Sequence, residues 1–488
     1  MHKGIFGALA AAGLLSVSPA AFAAGPDGAQ LVAWWGVPFA GLLLSIALGP
    51  LLAPAFWHHH FGKIAAFWAA AFLLPFALVF GAGAAWHGAV HAVVAEYIPF
   101  VVLLTALFTT AGGICVHGNL RGGAWLNTGL LALGTVLASI MGTTGAAMLL
   151  IRPLIRANDN RRHNVHVVVF FIFLVANAGG SLTPLGDPPL FLGFLQGVDF
   201  FWTTLHIWPE TLFICAVLLV LFFLIDSYYF RQKTECQADE LDPTPDSASG
   251  SASDRASETT TETAPVRLEG KRNFVLLAAA VGLVLMSGVW KPDAAFDVFG
   301  TPVALQNIVR DAGLVVITLI SLAITPRTAR EGNGFNWEPM KEVAKLFAGI
   351  FLTIIPVVAI LRAGEAGALG WVIRLVTGPD GAPDNVMYFW ATGLLSSFLD
   401  NAPTYLVFFN TAGGDAATLM TTGAATLAAI SAGAVFMGAN TYIGNAPNFM
   451  VKAIAEQRGI RMPSFFGYML WSGAILLPLF VLTTLIFF

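Results

Sequence analysis

Two stretches of this chain place helix breakers where an apolar helix ought to continue. Residues 177–190 read NAGGSLTPLGDPPL and residues 438–448 read GANTYIGNAPN, each inside a long apolar run. Gly and Pro at these positions force main-chain hydrogen bonds to be given up. In hydrocarbon, such irregular backbone persists only where it is buried in protein or lines a polar cavity. Gly180, Thr183, Gly186 and Pro189 match Gly438, Thr441, Gly444 and Pro447, each pair 258 positions apart, and Pro184 and Pro188 add to the first break. A second pair of blocks holds the same offset: ASIMGTTGAAMLL at 138–150 and SSFLDNAPTYLVF at 396–408, both polar tips within apolar flanks. An anciently doubled transporter with a broken-helix site in each half has this signature.

Composition points the same way. With 488 residues, 57% hydrophobic, only 11% charged and a mean hydropathy of +0.76, the chain is too apolar for a soluble enzyme and reads as a polytopic membrane protein in a lipid bilayer. The net charge of -4 includes no long basic run, so nothing points to nucleic acid. Cys115, Cys215 and Cys236 are an odd set without metal-binding spacing.

Residues 1–24 have a short basic start, an apolar core through Leu15 and the tripeptide Ala21-Phe22-Ala23. They read as a cleavable secretory signal, with an uncleaved first helix as the alternative. Spans follow at 31–55, 64–86 and 97–116, with His58, His59, His60 and Lys63 in a cytoplasmic loop by the positive-inside bias. Residues 87–96 read as a short interfacial helix on which His87 and His91 share a face, a zinc or pH-sensing pair that lacks a third ligand. Residues 125–155 carry Arg121 before them and Arg152, Arg156, Arg161 and Arg162 at their far end. Cytoplasmic charge at both ends favours a re-entrant hairpin with Gly142, Thr143, Thr144 and Gly145 at its tip over a straight crossing. A broken span at 165–197 and a return at 205–230 complete five crossings, and an odd number requires the second half to start from the opposite side.

Residues 231–272, rich in Ser, Thr, Ala, Pro and acids, read as a disordered cytoplasmic linker. The second half, 273–488, repeats the plan of 25–230: spans at 273–290, 313–324 and 343–360, a hairpin at 386–409, a broken span at 424–454 and a last span at 464–488. The expected fold class is an all-α polytopic membrane protein of two inverted repeats, each with five spanning helices, one of them broken, plus one re-entrant hairpin. Trp34, Trp35, Trp86, Trp202 and Trp208 fall near span ends and read as interface anchors.

Two carboxylates sit deep in apolar segments at the breaks: Asp187 in the first broken helix and Asp400 at the second hairpin tip. A charge at such depth costs about 3 kcal/mol or more unless an ion or partner compensates it, which makes both candidates for function. Their counterparts at the 258-residue offset are Asn445 and Gly142. Two similar clusters are expected: Gly142, Thr143 and Thr144 with Asp187, and Asp400 and Asn401 with Thr441 and Asn445, Thr183 standing in the first break as Thr441 does in the second. Hydroxyl, amide, carboxylate and freed carbonyl oxygens suit a small hard cation such as Na⁺, and half-helix N-termini can hold an anion. The plainer reading is that Asp187 and Asp400 only cap half-helices. Arg362 and Glu365, three apart, read as a gating pair or an ordinary interfacial pair. No nucleophile-and-base or metal set stands inside the membrane, so an enzyme is not expected and no cofactor is implied.

At these residues the chain resembles the ion transporter superfamily. Residues 177–189 are similar to the NhaD-type sodium:proton antiporter pattern of a Gly-rich break followed by Gly-Asp, here Gly186-Asp187. Asp400-Asn401-Ala402-Pro403 is similar to the Asp-Asn-x-Pro hairpin tip of those antiporters and of arsenite permeases. Dicarboxylate carriers of the superfamily carry Ser-Asn-Thr at both tips, where this chain has Gly-Thr-Thr and Asp-Asn-Ala. The chain also looks like an offshoot grouped with citrate-transporter-like membrane proteins. The resemblance implies a secondary active transporter of the bacterial inner membrane, working as an elevator in a homodimer, and the signal segment and charged span ends place both termini in the periplasm. It implies exchange of Na⁺ or Li⁺ for H⁺ at Asp187 and Asp400, or cation-coupled transport of citrate or a similar organic anion.

Overall fold

The computed structural model describes residues 27–118, 121–231 and 267–488. The signal segment, most of the linker and Cys236 lie outside the described residues. Helices account for most of the chain. Among the described residues, eight are long and apolar enough to cross a membrane, and Glu338–Thr353 with Ile355–Arg362, bent by 43°, makes a ninth. The chain is a multi-pass membrane protein.

The first two crossings, Val37–Leu52 and Pro54–Phe80, are separated by Ala53 alone. Pro54 starts the second because a proline at the first helical position forfeits no hydrogen bond. The two lie antiparallel: Trp57 and Trp68 rest on Gly49 and Gly41, and Trp68 Nε1 donates to Ser45 Oγ at 3.1 Å. This corrects the loop expected at His58, His59 and His60. Those histidines occupy the first turns of Pro54–Phe80, since no proline between Ala55 and Lys63 stops the helix.

The interfacial helix expected at 87–96 is likewise corrected. Ala82–Ala111 is one 30-residue span, widened by a π turn over Ala92–Tyr97. Pro99 has no N–H to give and its ring crowds the carbonyl one turn earlier, so the extra residue is absorbed just ahead of it. Trp34, Trp86 and Trp208 are well exposed, but Trp202 is buried and donates its indole N–H to Met420 O at 3.1 Å. Trp35 packs its ring on Phe72 and Phe76. Neither of these two is an exposed anchor. Residues 267–269, assigned to the linker by composition, form a strand, Arg267–Glu269, paired antiparallel with Cys115–His117. A second two-stranded ribbon joins Ala295–Val298 to Thr301–Ala304.

Ala124–Met141 is long enough to cross, yet the chain turns back at Gly142, whose φ of +83° suits only glycine. Thr143–Ala157 returns beside it. The open ends are pinned by Gly122 N donating to Ala157 O at 2.5 Å and by reciprocal amide bonds of 2.9 Å between Asn127 and Asn158. Asn385–Phe398 and Asn401–Thr411 make the second hairpin, with Tyr388 and Phe408 in ring contact near its open end. Val165–Leu174 gives way at 175–187 and resumes as Pro188–Leu195. Ala424–Met437 gives way at 438–445 and resumes as Ala446–Gln457.

The same ties recur 258 residues on. Thr183 Oγ1 donates to Ser139 O and Thr441 Oγ1 to Ser397 O. Ser139 Oγ donates to Gly179 O, and Ser397 Oγ to Met437 O. Leu185 N and Ile443 N donate to Thr183 and Thr441 at 3.2 and 3.3 Å. Each hairpin is thus tied to the break of its own half, while its return helix packs against the other half: Thr143–Ala157 on Ala446–Gln457, and Asn401–Thr411 on Pro188–Leu195.

At the open end of the first hairpin, Asp226 is fully buried. It accepts from Arg161 Nη2 at 2.7 Å, His166 Nε2 at 2.8 Å and Asn127 Nδ2 at 3.0 Å. Removing one partner from a buried pair leaves an uncompensated charge. Arg161→Met is therefore expected to destabilise the protein by about 3–5 kcal/mol, read as a lowered unfolding midpoint in detergent. The double variant with Asp226→Leu should recover part of the loss, and an unchanged midpoint in Arg161→Met would refute the assignment.

Candidate functional site

Four half-helices begin at one place. Their N-cap residues are Gly142, Asp187, Asp400 and Asn445, which are two pairs at the 258-residue offset. The two carboxylates are used differently. Asp400 turns back on its own helix, accepting from Ala402 N at 3.1 Å, an ordinary cap. Asp187 makes no side-chain cap bond. Its carboxylate reaches outward instead: Oδ1 accepts from Thr143 Oγ1 and from Asn445 Nδ2, each at 3.1 Å, and Oδ2 accepts from Asn401 Nδ2 at 2.5 Å.

The two clusters expected from the sequence therefore merge into one. The 258-residue offset relates equivalent positions but carries no information on which half-helices cross, and the crossing of the return helices brings Asn401 and Asn445 onto Asp187. Thr143, Asp187, Asn401 and Asn445 are each at most 2% exposed, so the site is closed in this arrangement. Asn401 Oδ1 is buried without a hydrogen-bond partner.

Glycines create the space. A Cβ on Gly180 would stand 2.7 Å from Thr143 Cγ2 and 3.1 Å from Asp187 Cβ. A Cβ on Gly186 would fall inside the Gly180 carbonyl, where the first break folds over itself, and one on Gly444 would come within 2.6 Å of Gly438 O in the second. Gly186 O accepts from Thr143 N at 2.8 Å, which fixes the hairpin tip on the break. Pro188, Pro189 and Pro447 stand in the first turn of the resumed helices and Pro184 is buried in the break. Thr183 and Thr441 spend their hydroxyls bracing hairpin to break and do not touch Asp187. Thr144 is half-buried and outside the hydrogen bonds of the cluster.

Sequence reasoning missed two amides. Asn177 Oδ1 accepts from Asn445 Nδ2 at 3.3 Å, and Asn177 Nδ2 donates to Asn448 Oδ1 at 2.7 Å. Asn448 Nδ2 in turn donates to Gly438 O and Thr441 O, both at 2.9 Å, supplying carbonyls that the second break leaves without helix partners. A relay of three amides thus joins Asp187 to both breaks. The available signal was their position, since Asn177 opens the first break and Asn448 closes the second. Arg362 corrects another expectation. Its Nε donates to Asn410 Oδ1 at 2.7 Å and it makes no pair with Glu365, because Gly364 turns the chain at φ +62° between them.

Among the described residues, no group of three or more His, Cys, Asp or Glu side chains is arranged to hold a metal ion. The site is one carboxylate held by neutral donors, suited to one proton or one small cation. No curated protein matches the chain. A protein-family model described as "Putative citrate transport" matches residues 28–488. On that match, which spans nearly the whole chain and agrees with its many membrane-crossing helices, the protein belongs to this family of membrane transporters.

Proposed function

We propose that this transporter exchanges Na⁺ or Li⁺ for H⁺, with Asp187 holding one or the other. The observation that carries the reading is the setting of Asp187: one carboxylate joined by side chains of both hairpins and the second break, all of them neutral. Among the described residues no Lys or Arg pairs with it, so a single cation or a proton completes the site. The unpartnered Oδ1 of Asn401 is a hard oxygen beside it, as such a cation requires. Asp400 keeps its capping bond and adds charge from the neighbouring half-helix, a supporting rather than exchanging acid.

Packing supports alternating access of the elevator kind. Val37–Leu52, Pro54–Phe80, Ala82–Ala111, Arg272–Val289, Leu305–Ile324 and Glu338–Arg362 pack mainly on one another, and the hairpins, broken helices, Trp208–Phe230 and Phe465–Phe487 form a second group. The first is the scaffold and the second, with Asp187 at its centre, the moving body. Two inverted repeats joined by the linker, a homodimer in the inner membrane and periplasmic termini belong to the same proposal.

A second reading is cation-coupled transport of citrate or a similar organic anion. It is favoured by the family description and by the four half-helix N-termini, whose partial positive charges converge at the site. Proteoliposomes holding a pH dye and an imposed proton gradient separate the two. Na⁺ or Li⁺ added outside should dissipate the gradient; a response to citrate in the presence of Na⁺, and none to the salts alone, would replace exchange with anion transport. Asp400→Asn, which keeps an oxygen at the cap, is expected to retain a measurable share of the response; complete loss would make Asp400 an exchanging acid after all.

A further inference from the structure

Among the described residues, two side-chain to side-chain hydrogen bonds outside the site join the moving body to the scaffold, and Arg156 Nη2 donates to Val116 O besides. Gln196 Nε2 donates to Glu96 Oε1 at 3.3 Å, and Arg362 Nε donates to Asn410 Oδ1 at 2.7 Å. Their places are informative. Gln196 ends Pro188–Leu195 nine residues after Asp187, and Asn410 lies in Asn401–Thr411 nine residues after Asn401. These two half-helices pack side by side. They begin on the Asp187 to Asn401 hydrogen bond and run about 13 Å at helical rise to the two contacts.

The scaffold partners are specially placed. Glu96 sits in the π turn of Ala82–Ala111, an irregularity frequent at functional positions. Arg362 ends the bent span, and its charge attracts Glu96. The chain after the second hairpin is shaped around the guanidinium: Gly413 and Gly414 both have positive φ, and a Cβ on Gly414 would stand 2.9 Å from Arg362 Nε.

We propose that Gln196 with Glu96, and Asn410 with Arg362, form a latch that holds the two site-bearing half-helices against the scaffold in the closed arrangement and opens each time the site turns to the other side. The proposal rests on the alternating-access reading but on neither choice of cargo. Because the half-helices are rigid rods from site to latch, a change in the Asp187 to Asn401 contact is felt at the far end as a shift of Gln196 against Asn410.

A cross-link reports the arrangement without reference to transport. A Cβ on Gly145 would stand 2.9 Å from Ala111 Cβ, moving body against scaffold, within a small shift of the roughly 3.8 Å that a disulfide needs. The reporter is Ala111→Cys with Gly145→Cys in full-length protein carrying Cys115→Ser, Cys215→Ser and Cys236→Ser, oxidised in liposomes. Gln196→Leu and Asn410→Leu are expected to slow cross-linking about fivefold each, the scale of one hydrogen bond. Gln196→Lys, which sets an ammonium beside Glu96, and Asn410→Asp, which sets a carboxylate beside Arg362, are expected to keep or raise it while slowing transport. Unchanged cross-linking in the leucine variants, or slowing by Lys and Asp equal to that by Leu, would overturn the latch. A protein that ignores both Na⁺ and citrate leaves this readout intact, so failure of the cargo assignment and failure of the latch remain distinguishable.

Discussion

Asp187→Asn is expected to abolish cation-dependent dissipation of a proton gradient, by a factor of about 100 or more, while the protein still purifies as a folded species. The size follows from the charge: a carboxylate at this depth is worth about 3 kcal/mol to a bound cation or proton, and 2.7 kcal/mol is already a factor of about 100. The fold should survive because the amide is the same shape and keeps one oxygen for the donors of Thr143 and Asn445. Its nitrogen then faces Asn401 Nδ2, a clash of donors that Asn401 relieves by turning its amide, since its own Oδ1 has no other partner. The check pairs the proteoliposome assay with an unfolding midpoint. Retained exchange in a folded Asp187→Asn protein would remove Asp187 from the mechanism.

Gly186→Ala is expected to cost both stability and transport. The new methyl group would overlap the Gly180 carbonyl, and the obstacle is backbone on both sides, so no rotamer change relieves it. The strand of chain carrying Gly180 must move, and with it Thr143 N, which bonds Gly186 O, and the whole hairpin tip. Overpacking costs about 1–3 kcal/mol in ordinary cores, and the upper end is expected here, with transport lost as well because Asp187 is the next residue. Gly444→Ala should have the same effect in smaller measure, its closest approach being 2.6 Å to Gly438 O. Gly282→Ala is the control: nothing lies within 4 Å of that position in the helix Arg272–Val289, so its midpoint should match or slightly exceed the parent's. A Gly186→Ala protein as stable as Gly282→Ala would show that the first break does not fold over itself in this way.

The breaks and hairpin tips were legible because Gly, Pro and polar residues inside apolar runs leave a mark that composition cannot hide, and Asp187 stood out as a charge at a depth where charge is costly. What the sequence could not carry was partnership. Thr143, in the same half, was set beside Asp187 from the sequence and donates to it, but Asn401 and Asn445 lie 214 and 258 positions away, and only the crossing of half-helices between the halves makes them neighbours. The division of work between the two acids was equally hidden, since Asp187 and Asp400 both precede a half-helix and only their side-chain directions differ. Glu96 was given no partner because its segment was read as interfacial; one continuous span with a π turn puts it against Gln196. His58, His59 and His60 were drawn into a loop by their polarity, although Pro54 had already started the helix.

The dependence of Asp187 on distant residues has a consequence for how the protein is made. Asn401 and Asn445 leave the ribosome 214 and 258 residues after Asp187. At about 5–20 residues per second, the acid spends roughly 10–50 s in a growing chain with Thr143 as its sole eventual ligand already synthesised. Through that interval an ionised group would hold its segment out of the bilayer at a cost of about 3 kcal/mol, so the first broken segment is expected to settle late, admitted to its final place by the arrival of the second. A truncation ending before residue 401 would then be a substrate for membrane quality control rather than half a transporter, and the proteolytic sensitivity of its 177–187 segment would show it.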